Sequence, residues 1–71
     1  MLRKKEINSG DLVYVPSEVY LYKNKTNGVV SEWTKLKQPI NLLVTAVNLK
    51  TYEVFYSSEY WLVDKDEVHT V

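Results

Sequence analysis

Residues 40–63 read INLLVTAVNLKTYEVFYSSEYWLV. Val, Ile, Tyr, Phe, Trp and Thr dominate the run, and neither Pro nor Gly interrupts it. Residues of this kind fit a pleated, half-buried surface. Two polar breaks, Asn48–Thr51 and Ser57-Ser58, divide the run into Ile40–Val47, Tyr52–Tyr56 and Glu59–Val63. The pattern predicts three strands in a meander, the centre of a small all-β fold.

Upstream, Gly10-Asp11 signals a turn and Leu12–Val15 a strand, which Pro16 ends because proline has no backbone donor for a ladder. Glu18–Lys23 alternates, with Val19 and Leu21 on one face and Tyr20 and Tyr22 on the other. Asn24, Asn27 and Gly28 supply turn chemistry. Lys23–Gln38 is read as a long irregular or hairpin-like loop, with Trp33 folded back on the barrel. Downstream, Asp64–Glu67 predicts one helical turn with Asp64 as its cap, and Val68–Val71 a closing strand. The expectation is five or six strands that curl into a closed or nearly closed barrel, since closure removes exposed edges. Residues 1–9 form a polar, basic lead and residues 10–71 a single domain. Leu12, Val19, Leu21, Leu42, Val44, Val54 and Leu62 are the candidate core. Tyr52 and Tyr56 fit either face, because a one-residue change of register reverses every side chain. Trp33 and Trp61 read either as lids over the core or as parts of an outward aromatic patch.

This order of elements resembles the Src-homology-3-like small β-barrel: first strands, a long loop, a three-strand meander, a short helical turn and a final strand. The resemblance is one of architecture and covers residues 10–71. It implies a five- to six-stranded barrel that acts by binding. The proline-peptide groove of the eukaryotic signalling type is not expected, because the long loop here carries Lys23, Lys25, Lys35 and Lys37 against the single acid Glu32. YEVFYSSEYWLVDKDEV looks more like the closing half of bacterial-type barrels, although Ser57-Ser58 stands where those often carry Gly. In length and style the chain also resembles small free-standing barrels of tailed bacteriophages.

Composition limits the chemistry. Seventy-one residues make one small domain, and with no Cys there is neither a disulfide staple nor a thiolate ligand. Nine basic and nine acidic side chains cancel, yet residues 1–50 hold eight Lys/Arg against four Asp/Glu, and residues 51–71 one against five. Arg3-Lys4-Lys5 is followed by Glu6, Asn8, Ser9 and Asp11, where a secretion signal needs an apolar stretch. No apolar run approaches the roughly 20 residues of a membrane span. The expected location is cytoplasmic: the host cytoplasm, or the virion if the chain is phage-encoded.

No catalytic constellation is legible. The one histidine, His69, has no nucleophile and orienting carboxylate at recognisable spacing. Asp64, Asp66 and Glu67 lack the further ligands and turn glycine of a calcium loop. Gly10 and Gly28 are too far apart to cradle a phosphate. No enzyme activity, cofactor or metal is therefore expected. Lysines beside aromatics do suggest a binding surface: Tyr20, Tyr22, Lys23, Lys25, Trp33, Lys35, Lys37 and Tyr60. Aromatics would anchor a protein partner, which self-association could supply, and lysines would steer it. The alternative is single-stranded nucleic acid, stacked on the rings with its phosphates neutralised. The zero net charge weighs against this.

Overall fold

The computed structural model describes residues 6–23 and 29–71. Seven strands follow the chain: β1 (Leu12–Val15), β2 (Tyr20–Lys23), β3 (Glu32–Lys35), β4 (Ile40–Val47), β5 (Thr51–Tyr56), β6 (Glu59–Asp64) and β7 (His69–Thr70), with a 3-10 turn at Lys65–Glu67 before the last. All pairings are antiparallel, in one sheet of order β3-β2-β6-β5-β4-β1-β7. The expected barrel closure is not seen, since β3 and β7 are the two ends of this order. The sheet still wraps one core. Val13, Val15, Val19, Leu21, Leu36, Leu42, Val44, Tyr52, Val54, Trp61, Val63 and Val68 form a single buried cluster, with no buried polar side chain among the described residues.

The meander forms over the residues that predict it. Asn48 N–H donates to the Thr51 carbonyl at 2.9 Å to turn β4 into β5. Ser57 and Ser58, with φ of 53° and 64°, connect the opposed residues Tyr56 and Glu59. Two consecutive left-handed residues match the strand twist in a two-residue hairpin, which is why such turns favour Asn-Gly. The β4–β5 register shifts between Val44 and Ala46, leaving Thr45 as an extra residue. Its hydroxyl donates to the Glu53 carboxylate at 2.8 Å. A bulge bends its strand, and beyond this one β4 pairs with β1 on its other side.

Further expectations are corrected. Of the two readings of Lys23–Gln38, irregular or hairpin-like, the second holds at Glu32–Lys35, which is a full strand: each of its residues opposes one of β2, from Tyr20↔Lys35 to Lys23↔Glu32. The strand count is therefore seven, and Trp33 does not fold back on the core but stands 63% exposed. Leu12 and Leu62 are not core residues. Val13 and Val15 on β1, and Trp61 and Val63 on β6, point inward instead. The stretches LVYV and EYWLVD carry apolar residues on both faces, so alternation alone does not choose between them. Finally, the 3-10 turn forms, but Asp64 makes no side-chain capping bond. Its carboxylate instead accepts from the Tyr22 hydroxyl.

Candidate functional site

Alternation along β2 sends Leu21 into the core and leaves Tyr20 and Tyr22 on the opposite face. β3 places Trp33 opposite Tyr22 and Lys35 opposite Tyr20, so all four share that outer face. The Tyr20 and Trp33 rings meet edge-on, with centroids 5.4 Å apart and planes at 70°. Such pairs are worth about 0.5–1.5 kcal/mol beyond their buried area, which holds both rings in place while their surfaces stay open. Val30 joins Tyr20, Tyr22 and Trp33 around a shallow apolar depression.

The lysines are differently disposed. Lys35 sits 5.8 Å from the Tyr20 ring centroid and pairs with Glu18 at 2.6 Å. That carboxylate holds its ammonium above the usual lysine range. Glu18 itself has φ of 72°, after Pro16-Ser17. Lys23 lies on the core face of β2. Its Nζ is 4.5 Å from the Trp61 ring centroid, bonds Glu59 and lies 3.9 Å from Glu32. Lys37 is exposed in the β3–β4 connection, beside Pro39 and Tyr56, with no ion-pair partner among the described residues. Lys25 lies outside the described residues. Tyr60 is on the outer face two residues from Leu62, the partner of Tyr22, but its ring packs edge-on against Phe55 at 5.3 Å. The structure thus brings together Tyr20, Tyr22, Trp33 and Lys35, separates Lys23 onto the other face, and sets Tyr60 in a different cluster.

Three participants were not among the candidates: Val30, Glu18 and Asp64. Only tertiary placement brings Asp64 to Tyr22, through the single register pair that joins β2 to β6. Burial, followed by the Asp64 hydrogen bond and charge, pushes the Tyr22 hydroxyl up to about 12. The folded value lies above the ordinary one of about 10. The neutral Tyr22 side chain, through burial first and the Asp64 bond second, therefore contributes stability that is complete below pH 10 and lost as pH rises toward 12. Because Tyr22 is only partly buried, screening reduces that contribution to about 1 kcal/mol. Urea midpoints measured across this alkaline window should fall further for the parent than for Tyr22→Phe. Equal slopes would remove the bond from the stability account.

Among the described residues, no three His, Cys, Asp or Glu side chains gather as a metal site, and no helix is long and apolar enough to cross a membrane. Comparison of the chain with models of known protein families, with curated proteins and with solved structures found no match in any of the three.

Proposed function

We propose that the chain is a non-enzymatic protein-interaction module with the element order of a Src-homology-3-like small β-barrel, its sheet open between β3 and β7. It binds a protein partner through the outer face of the β2–β3 hairpin. The fold reading rests on the element order, with its 3-10 turn directly before the last strand. The binding reading rests on one observation: Tyr20 and Trp33 are locked edge-on yet remain 51% and 63% exposed. Rigid, open aromatics lose little entropy on docking and are enriched at binding hot spots. A small module of this kind fits a phage-encoded accessory, structural or host-modulating protein, acting in the host cytoplasm or the virion.

The exposed rings also favour a second reading, stacking of single-stranded nucleic acid. The protein reading is preferred because Lys35 and Lys23 already face carboxylates, and a paired ammonium neutralises little phosphate charge.

Tagged parent and Trp33→Ala chains, each used to capture partners from native lysate with and without nuclease, separate the readings. A saturable protein partner that survives nuclease, and whose affinity falls about tenfold or more with Trp33→Ala, supports the module. Capture that disappears with nuclease or with moderate salt assigns the surface to nucleic acid.

A further inference from the structure

A second apolar surface lies on the same face of the sheet, away from the Tyr20–Trp33 pair. The strand registers place Leu12 opposite Leu43, Leu43 opposite Phe55, and Phe55 opposite Tyr60. These four side chains form one continuous row across β1, β4, β5 and β6. Each is between 41% and 58% exposed. An antiparallel sheet with one buried face ordinarily presents polar residues on the other, and a contiguous apolar patch on a small protein marks a contact surface.

We propose that this row is an isologous contact between two copies of the chain. Charge, the order of the row and the fixed rings favour a second copy as the occupant, and the size of the row sets how weak the contact is. The row contains no charged residue and the chain has zero formal net charge, so neither local nor long-range repulsion opposes pairing of like molecules. In order, the row reads Leu, Leu, Phe, Tyr. A copy turned about a two-fold axis through its middle reads Tyr, Phe, Leu, Leu, which sets Leu12 against Tyr60 and Leu43 against Phe55 at both ends. Every aromatic then meets an aliphatic of the other copy, the reciprocal i-to-j contact that a two-fold interface requires. The edge-on Phe55–Tyr60 packing fixes both rings beforehand, which lowers the cost of ordering them. Finally, the size fits a weak dimer. About half the surface of four such side chains is roughly 300–400 Å² per copy, below the about 800 Å² per partner of a standard interface. Association is therefore concentration-dependent.

Sedimentation velocity from micromolar to millimolar concentration tests this, with folding of each variant checked by circular dichroism and thermal melting. The parent should shift from monomer toward dimer. Leu43→Lys and Phe55→Glu should each raise the dissociation constant about tenfold or more. An equimolar mixture of the two should regain association, because the two-fold arrangement sets Lys against Glu across one half of the contact and leaves Leu43 against Phe55 in the other. Tyr60→Ser replaces a variant that does not fold and should also weaken association, whereas Trp33→Ala should leave it unchanged. A parent that stays monomeric throughout, single variants that associate like the parent, a mixture that stays monomeric, or loss of association with Trp33→Ala would each overturn the proposal.

Discussion

Val13→Asp is expected to abolish the cooperative unfolding transition, whereas Leu12→Asp is expected to stay within about 1 kcal/mol of the parent. The two positions are neighbours in β1 but face opposite ways. Val13 is fully buried in the apolar cluster, and no described polar side chain is buried there to receive a carboxylate. An unpaired buried carboxylate costs several kcal/mol. That approaches the whole stability of a small domain, commonly about 5–15 kcal/mol and lower for one of this length. Leu12 is half exposed on the outer face, opposite Leu43, so its replacement keeps the new charge hydrated. Urea melts at a dilution that excludes association give the comparison. A destabilising Leu12→Asp with a tolerated Val13→Asp would mean that β1 pairs one residue out of register.

The two tryptophans should separate as widely. Trp61→Ala is expected to cost about 3–5 kcal/mol, and Trp33→Ala less than about 1 kcal/mol. Trp61 is only 7% exposed and sits opposite Val54. Its Nε1–H donates to the Tyr56 carbonyl at 3.1 Å, and Lys23 lies across its ring. Removing it opens a cavity, takes away the indole donor to the Tyr56 carbonyl and takes away the ring across which Lys23 lies. Trp33 has its main described ring contact with Tyr20 and is solvated elsewhere. Iodide quenching provides a second measurement. The fluorescence that remains in Trp33→Ala, from Trp61, should be shielded, and that in Trp61→Ala, from Trp33, accessible. Equal quenching of the two would contradict the assignment of buried and exposed rings.

Much of the architecture is legible in the chain because short-range chemistry specifies it. The Ser57-Ser58 turn is an instance. Once a two-residue hairpin is read there, Tyr56 must face Glu59, and Phe55 must face Tyr60, so half of the proposed self-contact follows from counting outward. The lateral placing of Tyr20 and Tyr22 follows from alternation in the same way. The β3 strand does not. Glu-Trp-Thr-Lys has weak apolar alternation, and it is a strand because β2 offers it a partner. The lysines mislead for a related reason. Spacing places Lys23 beside Tyr22, but adjacent residues in a strand point to opposite faces. Charge count likewise gives no sign that Glu18, Glu32 and Glu59 stand against Lys35 and Lys23.

The amino-acid sequence by itself determined the meander from Ile40 onward, its two turns and the all-β class, because β propensity and turn chemistry act over a few residues. Only the tertiary structure decided which residues of β1 and β6 face inward, that β3 exists, that the sheet order ends at β3 and β7, and which lysines are already paired. These depend on strand register and on contacts between residues tens of positions apart. Where apolar residues lie on both faces of a strand, local pattern is nearly degenerate under a one-residue slip, and the core chooses.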